Sequence, residues 1–233
     1  MPKEIDTPTV TNVVATYPGR PLCLEIYNPW TENWYTNNAL SCWYPEMGPI
    51  AGYAVTCTYG LPDPTYKKLS LMNVLEAMDK LGKPSIFCFQ QKFPGEIADK
   101  VGLSGGNMTS SMRAVGAIGA VSNGPSRDIH EIRPMKFQYL TRGICAGHGP
   151  QEVHAVQVPV SIAGMDVAPG EIIHMDENGA VKFPADKLEI VLKNARATLD
   201  KEAEQVERFR TAKTAADLRA LSAGTTYGAQ EKK

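Results

Sequence analysis

The sequence has no excess of charge of one sign. Its 24 Lys and Arg face 25 Asp and Glu, for a formal net charge of -1. The basic residues are dispersed, and Lys201 to Lys213 mixes both signs as solvated helices do. A phosphate-tracking surface usually shows as a basic stripe, so nothing argues for a nucleic-acid partner. A disulfide framework is also missing. Cys23, Cys42, Cys57, Cys88 and Cys145 are odd in number, widely spaced and without a C-x-x-C pair, which speaks against a thiolate zinc site and for a reducing compartment. Long apolar runs are lacking too: none approaches the roughly 18 residues that a membrane span needs, and MPKEIDTPTV contains no apolar core of a secretion signal. A cytoplasmic protein with no membrane partner is expected. Familiar catalytic signatures are equally scarce. No H-E-x-x-H, G-x-G-x-x-G or Walker-type G-K-[ST] occurs, which removes the usual marks of zinc hydrolases and nucleotide enzymes.

What remains is a 233-residue chain, 43% apolar and 21% charged, long enough to bury a core without staples. Three regions are expected: 1–45, a short helix and an aromatic-rich extension; 46–185, the core; 186–233, an amphipathic helix and a polar tail. IDTPTVTNVVATY suits a helix with Pro8 at its first position. The loop-like stretch Tyr27 to Tyr44 holds all three tryptophans and is expected to pack over a core or an interface. From Pro49 strands and helices alternate. IAGYAVTCTYG, PSIFCFQQ, AIGAVSNG, FQYLTRGI and VHAVQVPVSIAG read as strands. SLMNVLEAMDKLG and NMTSSMRAVGAIG read as helices. VAPGEIIHMDENGAVKFP reads as a hairpin turning at Asp176 to Gly179, and ADKLEIVLKNARATLDKEAEQVERFR as a long amphipathic helix. The pattern is α/β with a mixed sheet.

Three features bear on chemistry. Gly105-Gly106-Asn107-Met108 opens a helix, and a glycine turn at a helix N-terminus offers backbone N–H groups to a carboxylate or phosphate. Arg127-Asp128-Ile129-His130-Glu131 follows a strand end, the edge at which open α/β sheets bind ligands. There Asp128 can ligate a hard cation while Arg127 holds a carboxylate or an enolate oxygen. His148, between two glycines, is a candidate for substrate contact. His174 and Asp176 lie beside the hairpin turn and read as structural. Twenty residues separate Gly106 from Arg127, a spacing that can bring turn and pair to one sheet edge.

With GPIAGYAVTCTYG, GLSGGNM, GAIGAVSNGPSRDIHEIRPMKFQYLTRGI and VPVSIAGMDVAPGEIIHMDENGAVKFP in hand, the sequence resembles the RraA-like family. That family includes metal-dependent 4-hydroxy-4-methyl-2-oxoglutarate aldolases and regulators of ribonuclease activity. The resemblance implies an α/β/β/α sandwich of the swivelling-domain type, and a homotrimer or hexamer with active sites between subunits. It implies Mg²⁺ or Mn²⁺ on Asp128 through a water-rich shell, and Arg127 on the carboxylate and keto oxygen of a 2-oxo acid. The N–H groups of Asn107 and Met108 would hold the substrate carboxylate, and Glu202 or Glu204 of an adjacent subunit would complete the metal's surroundings. The implied activity is a divalent-metal lyase acting through a pyruvate enolate, by retro-aldol cleavage or oxaloacetate decarboxylation. The alternatives are a regulator that binds a protein, or a lyase or isomerase of a sugar acid. Two departures stand out: Gly106 where the characterised aldolases carry aspartate, and Ser122-Asn123 where Val-Asp-like residues are usual. The first leaves open which group serves as base, with His130, Glu131 and His148 as candidates.

Overall fold

The computed structural model describes residues 4–65 and 68–222. Its helices are α1 (Thr7–Val14), α2 (Leu71–Leu81), α3 (Gly95–Ala98), α4 (Gly106–Ala114), α5 (Ile129–Ile132), α6 (Leu188–Arg210) and α7 (Ala215–Ser222). Its strands are β1 (Ser41–Cys42), β2 (Ile50–Gly60), β3 (Ser85–Gln91), β4 (Ala117–Ser122), β5 (Gln138–Thr141), β6 (Glu152–Val156), β7 (Val160–Ile162), β8 (Met165–Val167), β9 (Ile172–Asp176) and β10 (Gly179–Phe183). The polar tail expected after Ala223 lies outside the described residues. The chain divides into two compact units, one of residues 1–7 and 33–188, the other of residues 8–32 and 189–233.

In the first unit a mixed sheet runs in the order β1-β5-β4-β3-β2-β9-β10, with β6 paired to the far end of β2. Strands β2 to β5 are parallel, and β1, β6 and β9 join antiparallel. The α/β class and the mixed central sheet are as expected. Alternation along β2 and β3 divides the core. Val55, Cys57, Tyr59, Phe87 and Phe89 pack on one face with Val74, Leu75 and Met78 of α2 and Met112 of α4. Ala54, Ile86 and Cys88 pack on the other face with Val160, Ile162, Met165 and Val167 of the β7–β8 ribbon. Both faces are covered, which is why IFCF reads as an unbroken apolar run.

VHAVQVPVSIAG, expected as a strand, is two. Gln157 takes the left-handed conformation at φ 56, and Pro159 has no N–H to give a ladder. The chain therefore leaves β2 after β6 and re-forms as β7. The aromatic stretch packs as expected at one point and not at another. Trp34 is buried, and residues 34–36 extend the β10 edge through Lys182 N–H to Trp34 O (3.0 Å) and Thr36 N–H to Ala180 O (2.9 Å), whereas Trp30 is exposed. In the second unit the buried Asn194 of α6 donates to Leu22 O at 2.9 Å, and Leu24 N–H donates to Val13 O at 2.7 Å.

His174 and Asp176, both buried on β9, have the structural role expected of them. The Thr7 N–H donates to Asp176 Oδ2 at 2.7 Å, and the Thr7 hydroxyl meets His174 Nδ1 at 3.0 Å. Among the described residues His174 Nε2 has no hydrogen-bond partner. Burial lowers the His174 pKa from 6.5 to about 4, outweighing the opposite pull of Asp176 and Asp6. Between those values the unfolded chain binds a proton that the folded chain excludes. The stabilisation is therefore complete above the unfolded value and is lost as pH falls toward the folded one. Urea midpoints measured from about pH 7 down to about pH 4.5 are expected to fall more steeply for the natural chain than for His174→Phe, which has no ring proton to gain.

Candidate active site at the ends of the parallel strands

The loops that leave β3, β4 and β5 lie side by side, joined by their backbones. Leu103 N–H donates to Pro125 O (3.0 Å), and Arg127 N–H to Ser104 O (3.1 Å). Ser126 N–H donates to Gly143 O (2.9 Å), and Cys145 N–H to Ser126 O (3.0 Å). Gly102 N–H closes the set on Gly147 O at 2.9 Å. The Ser126 hydroxyl, buried, adds a bond to Ser104 O at 3.0 Å. Asn123 ties the strand ends together, accepting from Gln91 N–H at 2.8 Å and donating to Gln91 O at 3.2 Å. Segments 102–104, 125–127 and 143–147 thus continue the parallel sheet past its C-terminal edge, and the candidate residues stand on that continuation.

Asp128 is the pivot. Its backbone is left-handed (φ 58, ψ 33), a conformation that Asp tolerates better than most residues and that costs of order 1 kcal/mol. Its carbonyl accepts from Glu131 N–H and Ile132 N–H, both at 3.0 Å, so α5 starts on Asp128 and puts Glu131 one turn further along the same side. Asp128 Oδ2 accepts from Gly106 N–H at 3.1 Å and lies 3.5 Å from Arg127 Nε. The Arg127 and Asp128 side chains are each about one-third exposed, 34% and 35%, so the pair is open to a ligand.

Gly105 and Gly106 are glycines because acidic side chains lie where theirs would be. A Cβ on Gly105 would sit 2.2 Å from Asp128 Oδ2 and 3.0 Å from Arg127 Nε. A Cβ on Gly106 would sit 2.1 Å from Glu131 Oε1 and 2.2 Å from its carboxyl carbon. Two carboxylates and a guanidinium therefore meet over the first turn of α4. With Gly106 N–H given to Asp128, the Asn107 and Met108 N–H groups have no acceptor among the described residues, and they face the positive end of the helix dipole. The turn is braced from beneath. The Thr109 hydroxyl donates to Gly105 O at 2.8 Å, which spends its one proton, so the 2.9 Å contact with Tyr139 Oη is a bond donated by tyrosine. Burial pushes the Tyr139 pKa up to about 12, and the phenol stays protonated to make that bond.

The structure thus brings together Gly105, Gly106, Arg127, Asp128 and Glu131. His130 is exposed on α5, and His148 is exposed with Nδ1 on Gly149 O at 2.7 Å; among the described residues neither side chain is hydrogen-bonded to Arg127 or Asp128. Glu202 and Glu204 lie on α6, in the other compact unit. Cys145 was not among the expected site residues. It belongs to the third loop, where a Cβ on Gly102 would meet its sulfur at 3.2 Å and Arg127 Cδ at 3.4 Å. Burial raises its thiol pKa against the lowering effects of the Gly147 backbone and Arg127.

Among the described residues no group of three or more His, Cys, Asp or Glu side chains is set to hold a metal. A hard cation asks for less. Mg²⁺ commonly takes one or two carboxylates and fills its shell with water and substrate oxygens. Asp128 suits that demand: one oxygen is held by Gly106 N–H, and no hydrogen bond among the described residues engages Oδ1.

The model of the RraA-like family, described as Aldolase/RraA, matches residues 30–182. The chain belongs to the RraA-like family. An uncharacterised protein of Methanocaldococcus jannaschii is 30% identical over 116 residues, which cover 49% of this chain and 56% of that protein. A putative 4-hydroxy-4-methyl-2-oxoglutarate aldolase of Halalkalibacterium halodurans is 28% identical over 95 residues, 40% of this chain and 45% of that protein. The chain thus spans about half the length of these two relatives. The crystal structure of RraAS2 of Streptomyces coelicolor, an unusual member of the RNase ES inhibitor RraA protein family, superposes with a TM-score of 0.57. It covers 77% of this chain and 84% of its own at 19% identity, so the likeness is one of fold. All the site residues that the loops assemble lie inside the stretch matched by the RraA-like model. No helix among the described residues is long and apolar enough to cross a membrane.

Proposed function

We propose that this RraA-like chain is a divalent-metal-dependent carbon–carbon lyase that cleaves or decarboxylates a 2-oxo acid through a pyruvate enolate. The observation that carries the reading is the convergence of Arg127 and Asp128 on the α4 turn, beside the Asn107 and Met108 N–H groups. A carboxylate bound at those N–H groups lies at a helix N-terminus, the favoured place for an anion. The adjacent 2-oxo oxygen then falls to Arg127, whose planar fork can serve the carboxylate and the carbonyl oxygen together. As the bond to C3 breaks, negative charge gathers on that oxygen, and donors fixed in advance lower the barrier without having to reorganise. Asp128 would hold the cation (Mg²⁺ or Mn²⁺), and its Gly106 and Arg127 contacts fix the direction of the carboxylate. A bound divalent cation supplies positive charge to the developing enolate oxygen. In this reading the open side of the site is completed by a second copy of the chain, in a trimer or hexamer, with Glu202 or Glu204 of α6 as its contribution.

The test is pyruvate release from oxaloacetate and from 4-hydroxy-4-methyl-2-oxoglutarate, corrected for metal-catalysed decay. Turnover is expected with Mg²⁺ and none above background with a chelator. Turnover that persists in the chelator would contradict the metal-dependent reading, and turnover of neither substrate would remove the lyase reading for both.

A further inference from the structure

The geometry points to Glu131 as the proton-transferring carboxylate of the site, delivered from α5 into the space that the missing side chain of residue 106 leaves empty. The inference rests on the lyase reading and names its base.

Three observations carry it. First, the Glu131 carboxyl carbon lies 2.2 Å from the position of a Cβ on Gly106, with its oxygens at 2.1 and 2.6 Å. The distance is little more than one carbon–carbon bond of about 1.5 Å, so the carboxylate lies near the place that a short acidic side chain at 106 would itself reach. Second, the Glu131 carboxylate has neither a hydrogen bond nor an ion pair among the described residues, its backbone N–H alone being bonded, to Asp128 O. Asp128, its neighbour over the turn, is engaged by Gly106 N–H and Arg127. Of the two carboxylates, Asp128 is held in place and Glu131 is left to exchange a proton. Third, the other titratable candidates do not share this position. The atoms nearest a Cβ on Gly105 or Gly106 belong to Arg127, Asp128 and Glu131 and not to His130 or His148, and the raised Cys145 thiol is bonded to Gly147 O.

The step balances without a further reactant. Glu131 takes the proton of the C4 hydroxyl, and C4 becomes a carbonyl as the C3–C4 bond breaks. The bond pair forms the C2–C3 double bond and displaces the C2 carbonyl pair onto its oxygen, giving the enolate beside Arg127. Glu131 then returns the proton to C3 and pyruvate leaves. Oxaloacetate decarboxylation has no hydroxyl proton to remove, and its enolate takes the C3 proton from solvent water, so it asks less of Glu131, and this difference provides the test.

Glu131→Gln is expected to lower cleavage of 4-hydroxy-4-methyl-2-oxoglutarate by about a hundredfold or more, the usual size of a lost acid–base group. Oxaloacetate decarboxylation and Mn²⁺ affinity, measured by direct titration, are expected to stay within about threefold. Deuterium uptake into the pyruvate methyl group from D₂O is expected to fall with aldol cleavage. Gly106→Ala, whose added methyl has the flexible end of Glu131 as its nearest neighbour, should reproduce the same selective loss with little change in melting temperature. The double variant Glu131→Ala, Gly106→Asp is expected to recover at least about tenfold of the cleavage lost in Glu131→Ala, because the carboxylate returns to the same space. Equal losses in both reactions together with weaker Mn²⁺ binding would make Glu131 a metal-holding residue and overturn the proposal. So would unchanged aldol cleavage in Glu131→Gln, which leaves the lyase reading standing. Absence of turnover of both substrates in the natural chain would overturn that reading, and the role of Glu131 with it.

Discussion

Asp128→Ala is expected to lower pyruvate release from oxaloacetate by a hundredfold to a thousandfold at saturating Mg²⁺, with little change in the melting temperature. The magnitude is that of losing a preorganised group at a site of developing charge, about 3–4 kcal/mol of barrier. In the proposed site Asp128 does two things that alanine cannot. It offers a hard oxygen to the cation, and its other oxygen fixes Gly106 N–H and the Arg127 guanidinium. The fold should tolerate the change because the side chain is about one-third exposed and its ion pair is of the open kind that contributes little to stability. The backbone bonds from Glu131 and Ile132 to the Asp128 carbonyl do not depend on the side chain. Measuring kcat and Mn²⁺ affinity together checks the assignment. Loss of both follows from a metal-holding aspartate, whereas lost turnover with full Mn²⁺ affinity would leave Asp128 with the positioning role alone.

Gly105→Ala should cost nearly as much while leaving every charged residue in the chain. The added methyl would lie 2.2 Å from Asp128 Oδ2 and 3.0 Å from Arg127 Nε, so both side chains must swing away from the α4 turn. Gly105 has an extended backbone (φ -135, ψ -164) that alanine adopts freely, and a poorer helix N-cap costs about 1 kcal/mol. A fall of about a hundredfold in oxaloacetate turnover beside a small shift in urea midpoint is therefore expected. Turnover within a few-fold of the natural chain would mean that the Arg127–Asp128 arrangement over this turn is not the one that works.

Much of this was legible in the residues. Strand β2 ends at Gly60 and helix α2 stops at Gly82, both at the punctuation that the sequence supplies. The hairpin β9–β10 turns at Asp176 to Gly179, where the Asp176 carboxylate accepts from Asn178 N–H at 2.7 Å. Period and turn chemistry are local, and a sequence shows them. The break in VHAVQVPVSIAG was hidden because the left-handed Gln157 is stabilised from a distant strand, its N–H donating to Thr56 O at 2.7 Å. Strand β1 was lost in the aromatic stretch because two residues, paired with β5, carry no period of their own.

The site divides along the same line. Arg127, Asp128 and the glycine turn could be proposed from spacing, since helix and strand lengths fix where a chain comes back to a sheet edge. The bracing of Gly105 O by Thr109 and Tyr139, and the seat of Glu131 over Gly106, involve side chains from three elements. The sequence left His130, Glu131 and His148 level as candidates. Three-dimensional contact separates Glu131 from the other two.

The loops after β3, β4 and β5 are fastened chiefly by peptide groups, from Gly102 N–H on Gly147 O to Cys145 N–H on Ser126 O. Such fastening is blind to the amino acids that ride on it. Residues at 107, 130, 145 and 148 can be exchanged without moving the floor on which Arg127 stands, because among the described residues no strut passes through their side chains except the thiol bond of Cys145 to Gly147 O. A frame of this sort lets the rim be repainted around the same charged centre without rebuilding the walls.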